Sequence, residues 1–503
     1  MELNDLEQQR VEKLKTLQNA GVTPYPRRSH RTHTNLEAQK ALERAESKAS
    51  TPPTVTVVGR LVSIRVMGKI SFAHIEDATG KIQLFLRHNV MDKEQYDLFK
   101  QTFDLGDFVE ATGPLMRTRT GEISVEATEV KMLAKAITPL PIPKEYEDEE
   151  GEVTRYGAFS DIEERYRQRY ADLATNPKVR EIFRTRSRTI SALRHWLDEH
   201  GYLEVETPVL QPIYGGAAAR PFTTYHNQLK HEFYLRISFE LYLKRLLVGM
   251  YERVYEIGRD FRNEGVSYKH NPEFTQLEFY CAYTDLYGVM ETVEQLLSSA
   301  AEAVLGSTTF VYQGHEIDLS PPWRRISLRN VIKEGTGIDY TEFPETDVLR
   351  QEMRERGYNA ANEATWGQLV DDLLSEVEPN LIQPTFVHDY PIEISPLAKQ
   401  KPDDPTHVER FELFIGGMEM GNAFTELNNP FEQEERFRQQ GRAYEAGDEE
   451  AQPMDEDYLR AMKYGLPPNG GFGLGIDRLA MLFTDCRSIR EVLLYPHLRP
   501  REE

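Results

Sequence analysis

Cysteine is almost missing from this chain: Cys281 and Cys486 are the only two among 503 residues. That is too few for a disulfide framework or a zinc knuckle, and it suits a reducing compartment. No run of about 18 apolar residues exists, so no membrane-spanning helix and no membrane partner are expected. The N-terminal MELNDLEQQRVEKL is acidic and polar where a secretion signal has a basic start and an apolar stretch, which fits a cytoplasmic protein. There is no P-loop, and no G-x-G-x-x-G follows a strand pattern, so any nucleotide must be held by another device. Positive charge is in deficit as well: 60 Lys and Arg against 82 Asp and Glu leave −22. Nucleic-acid binders are commonly basic, so composition by itself does not point to RNA. Net charge is a sum, however, while phosphate contact is local. Positive residues gather at Arg27 to His33 and Lys178 to Arg194, negative ones at Glu145 to Glu152 and Glu445 to Asp457, and each cluster also reads as solvated surface.

What is present divides the chain. Its length allows two or three domains. Leu3, Leu6, Val11, Leu14 and Leu17 recur at helical spacing, ended by Gly21 and Pro24-Tyr25-Pro26, and residues 36–49 are rich in helix formers. From Thr54 to about Leu133 the period changes to two. VTVVGRLVSIRVMG, KISFAHIED, KIQLFL, DFVEATGPLMR and EISVEATEVKML read as five strands, with a helix over 91–101 between the third and fourth. That is the strand and helix order of an oligonucleotide-binding barrel. Pro139, Pro141 and Pro143, followed by an acidic run, mark a linker. The remainder mixes long helices with strands without regular alternation, which predicts an α+β domain on an antiparallel sheet flanked by helices. The boundaries are then a helical extension over 1–50, a barrel over 51–137, a linker over 138–162 and a large domain over 163–503. One helix is well marked: Asn176 caps it, Pro177 opens it, Val179, Ile182, Phe183, Ile190, Leu193 and Leu197 form its buried stripe, and Gly201 ends it.

Three segments of the large domain carry candidate chemistry. In FRNEGVSYKHNPEFTQLEFYCAY, residues 261–283, Arg262 and Glu264 close one strand, a polar loop follows, and a second strand opens at Phe274. Alternation sends Leu277, Phe279 and Cys281 to a core face and Phe274, Gln276, Glu278 and Tyr280 to the other. A carboxylate, an amide, a phenol and a flat ring on one face suit a cationic ligand. In RFELFIGGMEMGNAFTELN, residues 410–428, a hairpin turning on Gly416-Gly417 pairs Phe414 with Glu419 and Glu412 with Gly421, and brings Glu412 near Glu419. Two carboxylates that close need a cation between them: magnesium, which combines carboxylates with substrate phosphates, or simply a nearby lysine. In NGGFGLGIDRLAML, residues 469–482, Gly471, Gly473 and Gly475 bare one strand face, and Arg478 at the following helix start can reach a phosphate.

These segments resemble the signature motifs of class II aminoacyl-tRNA synthetases: HGYLEVETPVL (200–210) with Pro208, DFRNEG with PEF, and GFGLGIDRL. The N-terminal barrel narrows the resemblance to the aspartate, asparagine and lysine subclass. GGAAARPF (215–222), ELYLKRL (240–246), EISPLAK (393–399), GNAFTELN (421–428) and RYRQRYADL (165–173) look like the lysine-specific members. The resemblance runs from about residue 3 to Pro500. It implies a lysine–tRNA ligase that joins lysine to ATP and passes it to the tRNA decoding lysine codons, with Mg2+ as cofactor, a homodimeric assembly and no role for DNA. Residue by residue, it implies that Arg262 and Arg478 are catalytic. Gly216, Glu240, Arg262, Glu278, Tyr280, Asn422, Phe424 and Glu426 would bind lysine. Arg262, Glu264, His270, Phe274, Glu412, Glu419 and Arg478 would bind ATP, Glu412 and Glu419 would hold the metal, and Phe72, Gln83 and Glu122 would read the anticodon. For Phe72 a place in the barrel core is the other option.

Physics favours the lysine branch: an aspartate pocket needs cations, whereas this chain offers Glu240, Glu278 and Glu426 to a substrate with two ammonium groups. Other options are a protein-lysylating paralogue, which lacks the barrel, and an inactive RNA-binding descendant, which would not keep both arginines. Strict alternation would turn Asn422, Phe424 and Glu426 away from Glu419, so a β-bulge is expected near Gly421. Ser238-Phe239 before Glu240 is bulkier than is usual in the family, Met420 stands where an aliphatic residue is commoner, and the acidic linker is long.

Overall fold

The computed structural model describes residues 3–141, 144–147, 153–156, 159, 161–362, 364–445 and 453–501. Much of the expected acidic linker and of the Glu445 to Asp457 cluster lies outside the described residues. The chain forms two compact units, Met1–Asp161 and Ile162–Glu503.

In the first unit, α1 (Asp5–Asn19) and α2 (Asn35–Ser47) each begin with a reciprocal cap, Asn4 with Glu7 and Thr34 with Glu37. The strands are β1 (Thr54–Met67), β2 (Ile70–Glu76), β3 (Lys81–Arg87), β4 (Phe108–Arg117), β5 (Ile123–Ala127) and β6 (Glu129–Ala134), with α3 (Lys93–Thr102) after β3. β1 pairs with both β2 and β4, which closes the barrel around Val57, Leu61, Ala73, Ile75, Leu84, Val109 and Val125. The expected fifth strand is in fact two. Ile123–Ala127 pairs with β3 as well as β4, while Glu129–Ala134 pairs with β4 alone. The crossing is close: a Cβ on Gly113 of β4 would lie 2.0 Å from the Glu126 carbonyl oxygen. Alternating hydrophobicity shows such a strand as continuous because a corner does not change the period.

The second unit is built on one eight-stranded sheet of β7 (Leu203–Glu204), β8 (Arg253–Phe261), β9 (Glu273–Ala282), β10 (Arg324–Ser327), β11 (Thr385–Pro391), β12 (His407–Ile415), β13 (Met418–Thr425) and β14 (Asn469–Gly475). The spatial order is β10-β11-β12-β13-β14-β9-β8-β7, antiparallel except for the two outermost pairs. Six helices matter to the site: α4 (Pro177–Glu199), α5 (Glu240–Val248), α6 (Leu286–Leu305), α7 (Trp366–Val377), α8 (Glu456–Lys463) and α9 (Ile476–Phe483), which follows β14. In α4 the Asn176 side chain accepts from the Lys178 N–H, Pro177 occupies the first turn, and Gly201 follows with φ +77°. One sheet face, with Leu277, Phe279, Leu413, Phe472 and Leu474, packs on Leu193 and Leu197 of α4 and on the apolar stripe of α6. The opposite face carries the polar residues; α5 packs against its β8 and β9 end and α7 against β11 and β12, and the candidate site residues lie on this face.

Two irregularities set that face. Gly416 and Gly417 have φ of +64° and +72°, the double positive turn that suits a two-residue hairpin loop. Ile415 pairs with Met418 and Phe414 with Glu419, but Leu413 pairs with Gly421 and Glu412 with Asn422. Glu412 is therefore not opposite Gly421: Met420 is the extra residue of a bulge, which puts Glu412, Asn422 and Glu419 toward a common side. Gly421 also lies close under β14, where a Cβ would stand 2.3 Å from the Gly473 carbonyl oxygen. Gly421→Ala is expected to destabilise the second unit by about 1–3 kcal/mol through overpacking against backbone that cannot yield. Urea unfolding followed by near-ultraviolet circular dichroism checks this, and an unchanged midpoint would remove the packing account.

Candidate active site

The lysine-binding candidates occupy one buried cluster. Glu240 opens α5, Glu278 and Tyr280 project from β9, and Glu426 follows β13; all four are at most 4% exposed. Glu278 accepts from Ser238 Oγ (2.9 Å), Gln276 Nε2 (2.8 Å) and the Phe239 N–H (3.4 Å), and Tyr280 Oη donates to it at 3.3 Å. Burial, with Asp260 and Glu240 nearby, pushes Glu278 well above the usual carboxylate range despite these donors. Burial likewise raises Glu426, up to about 8, against the pull of Lys244. Neither Glu426 oxygen accepts a well-aligned hydrogen bond from the chain, although Lys244 Nζ lies in ion-pair contact with it. Gly471 leaves the room for this arrangement: a Cβ there would be 2.2 Å from the Tyr280 ring and 2.8 Å from Glu426 Oε1. Gly216, at φ +92°, passes so close that its Cβ would lie 3.1 Å from Glu240 Cβ. Alternation correctly separates Leu277 and Phe279 from Glu278 and Tyr280, but the polar face is a satisfied interior, not a wet surface.

The nucleotide candidates form a second cluster. β8 ends at Phe261, so Arg262 and Glu264 lie just beyond it in the loop leading to β9. The Arg262 Nε donates to the Ile237 carbonyl at 3.4 Å, and its guanidinium covers one face of Phe274, 5.1 Å from the ring centre. Arg478 Nη1 donates to Glu419, both to its carbonyl (2.5 Å) and to Oε2 (2.9 Å), while Nη2 meets His270 Nε2 at 3.3 Å. Burial, then Arg478 and Lys269, depress His270 to about 4, so its ring is neutral near pH 7 and Nε2 can accept. Glu264 sits on the exposed part of the loop. Asp477 ties this end together, accepting the Thr275 N–H at 2.8 Å and pairing with Arg186 of α4 at 2.7 Å.

The candidate metal carboxylates each face an arginine. Arg410 Nη2 donates to Glu412 at 2.6 Å, and Arg478 pairs with Glu419. Burial raises Glu412 to about 7, with Glu419 and Asp371 of α7 adding to the rise and Arg410 opposing it. For Glu419 burial is outweighed by Arg478, which holds it low. Two oxygen donors a short way apart, one of them destabilised as an anion, fit a hard cation that keeps its waters and phosphate ligands. Among the described residues no group of three or more His, Cys, Asp or Glu side chains could hold a metal alone.

Four contributors escaped the sequence reading. Lys244, Arg410 and Asp260 are recognisable only once strands and helices are brought together, although the Glu240–Lys244 spacing of one helical turn was a usable sign. Arg410 bridges the clusters: it donates to Asn422 Oδ1 at 3.1 Å and lies 5.7 Å from the Phe424 ring centre. Asp260, fully buried and pushed up to about 7 by burial against Arg236 and Arg262, interacts with both Arg262 and Glu278. Ser238, flagged only as bulky, is a Glu278 donor.

On the barrel, Phe72 is half-buried, outside the core, and stacks on Phe85 at 4.9 Å. Gln83 Nε2 donates to Glu122 at 2.6 Å, and Ser124 Oγ donates to Gln83 Oε1 at 2.8 Å. His74 Nε2 lies 2.7 Å from Glu122, an addition the sequence did not suggest.

Comparison with known proteins agrees with this geometry. The profile of tRNA synthetases class II (D, K and N) matches residues 161–499, and that of the OB-fold nucleic acid binding domain matches residues 55–133. A protein named lysine–tRNA ligase from Roseiflexus castenholzii is 54% identical over the full length of both chains, and one from Chloroflexus aurantiacus is 53% identical over the same extent. Another from Dehalococcoides mccartyi is 48% identical over 99% of this chain and 98% of its own. The buried carboxylate cluster, the paired arginines and these full-length matches lead to one conclusion: the chain belongs to the class II tRNA synthetases of the D, K and N group.

Proposed function

We propose that the chain activates lysine with ATP to lysyl-adenylate and pyrophosphate, then transfers lysine to the 3′ end of the tRNA that decodes lysine codons. The observation that carries the choice of amino acid is the convergence of Glu240, Glu278 and Glu426, with the Glu426 oxygens still lacking well-aligned donors. A buried carboxylate in that state is stabilised by an arriving ammonium. Glu240 and the Gly216 backbone take the α-amino group, Glu278, Tyr280 and Glu426 the ε-ammonium, and Phe424 lines the aliphatic chain, with Asn422 near the carboxylate. An aspartate side chain would meet only repulsion there.

Activation needs no general base, because the attacking carboxylate is already ionised. Its oxygen forms a bond to the α-phosphorus as the bond to the bridging oxygen breaks and pyrophosphate leaves. Arg262 neutralises charge at the α-phosphate and Arg478 holds the γ-phosphate. Phe274 stacks on adenine with the ring face that Arg262 leaves uncovered, and Glu264 and neutral His270 contact adenosine and phosphate. Glu412 and Glu419 would hold Mg2+, which when bound supplies positive charge to the phosphates. On the barrel, Phe72 stacks on an unstacked anticodon base while Gln83 and Glu122 bond to base edges. Exposed Leu203, Val209, Leu210 and Ile213 around the first motif support a homodimer, and two unpaired cysteines suit the cytoplasm.

Lysine-dependent exchange of pyrophosphate into ATP tests the reading, and exchange driven by aspartate or asparagine alone would reject it. Arg262→Ala is expected to abolish exchange with an unchanged thermal melt; surviving exchange would remove Arg262 from the chemistry. Glu426 is raised from its ordinary value to about 8, so near pH 7 the empty pocket holds its proton, and an incoming ammonium must drive it off. Lysine binding at pH 7 should thus release about one proton, seen as a buffer-dependent enthalpy. Glu426→Gln should lose that release and weaken lysine by about 1.5–3 kcal/mol with ATP little changed. Equal losses for both substrates would count against the assignment. Phe72→Ala should weaken an anticodon stem-loop by about 1–3 kcal/mol, and unaltered affinity in a folded variant would return Phe72 to a packing role.

A further inference from the structure

Lys244 has no part in the chemistry above, yet among the described residues it is the one lysine buried completely beneath the proposed substrate pocket. It is 0% exposed, with Nζ 2.6 Å from Glu240 Oε1 and in ion-pair contact with Glu426 Oε2. Glu240 and Lys244 sit one turn apart on α5, whereas Glu426 arrives from the end of β13, where its N–H donates to the Asn469 carbonyl at 2.9 Å. The ammonium is thus the direct tie between the helix and strand that carry the two ends of the pocket. The Tyr280 ring centre lies 6.0 Å away on one side, and the buried Tyr458 hydroxyl of α8 has no hydrogen-bond partner. A purely structural ion pair would sit anywhere in the core. This one joins the carboxylate proposed for the α-amino group to the one proposed for the ε-ammonium.

We propose that Lys244 is a positioning residue that fixes the separation of Glu240 and Glu426 and so sets the length of the diammonium chain the pocket accepts. The inference rests on the lysine reading given above. It also accounts for the charge count. Once the incoming ammonium groups have driven off the Glu426 proton and all three carboxylates are ionised, Glu240, Glu278 and Glu426 less one resident ammonium leave two negative charges for two substrate ammonium groups. With no resident cation the three buried carboxylates would hold protons still more tightly, and the ligand would have more to displace.

The test uses the full-length protein with Lys244→Met, which keeps the length and removes the charge, and Lys244→Gln, which keeps a donor. Pyrophosphate exchange is measured with lysine and with ornithine, one methylene shorter. Removing the tie should raise the KM for lysine roughly tenfold, leave the KM for ATP within about twofold, and cut the lysine-to-ornithine ratio of kcat/KM roughly tenfold, the scale on which pockets discriminate a methylene. Folded variants with an unaltered ratio would overturn the proposal, and so would a fall in kcat with both KM values unmoved. Failure of both variants to fold, with saturating lysine unable to restore a cooperative melt, would make Lys244 a core residue and also overturn it. Wild-type protein that shows no lysine-dependent exchange would instead sink the reading beneath, a result the wild-type control separates from the others.

Discussion

Negative charge held away from water is the constraint that the second unit is organised around. An isolated buried carboxylate is unfavourable by several kcal/mol, and it avoids that by protonating or by finding a cation. Here Glu240, Glu278, Glu412 and Glu426 are all raised by burial, and Glu240 adds to the rise of Glu278 and Glu426. Each therefore gains more from a cation than a surface acid would. The free energy stored in this way is released on binding, which is how a pocket without a strong apolar component can hold a small, heavily hydrated amino acid.

The sheet brings these groups together through three local departures from regularity. The bulge at Met420 turns Asn422 and Phe424 to the side that Glu412 and Arg410 face, with Arg410 opposite Phe424 and Glu412 opposite Asn422. Missing side chains on Gly471 and Gly473 give room to the Tyr280 ring and the Gln276 amide, both of which support Glu278. The αR residue Phe239 places the start of α5 so that its own N–H and the Ser238 hydroxyl reach the same carboxylate. None of these devices contributes a reacting atom. Each fixes the direction of a side chain proposed to bind the substrate.

Much of this was legible beforehand, and the part that was not has a common cause. Period-two patterning located the barrel strands and separated the core face of β9 from its polar face, because alternation depends only on neighbours along the chain. The double-glycine turn fixed the start of the hairpin register for the same reason. The full register needed the position of the extra residue, which β14 imposes by lying close under Gly421, and that is a contact across strands. The corner after Ala127 is similar. Lys244 and Arg410 escaped because charge partners on a helix and two strands are distant in sequence, so a lysine in ELYLKRL reads as one more solvated cation. The roles of individual residues came from resemblance and not from pattern, and the barrel shows the difference. Spacing could not choose between core and surface for Phe72, whereas in the folded barrel it lies beside Phe85 and outside the packed interior.

The two halves of the site use opposite electrostatic logic, and the boundary between them has chemical meaning. At the end proposed for the amino acid the carboxylates outnumber Lys244, the cation among them, which suits incoming ammonium groups. At the end proposed for the nucleotide Arg262 and Arg478 are positive, and burial, then Arg478 and Lys269, depress His270 so that it adds no further cation. Asp260 and Arg410 stand on the line between the two, each interacting with both ends: Asp260 with Glu278 and Arg262, Arg410 with Glu240 and Glu419. In the proposed reaction the bond to be made joins the substrate carboxylate, placed among the arginines, to the α-phosphate beside it. A diammonium acid is polar in the same sense as the cleft, so its own charge distribution aligns it before any contact is made to its methylene chain. In the proposed reading a dicarboxylic amino acid would have to place its second carboxylate among buried glutamates, so the sign of the pocket, more than its shape, would decide what is activated.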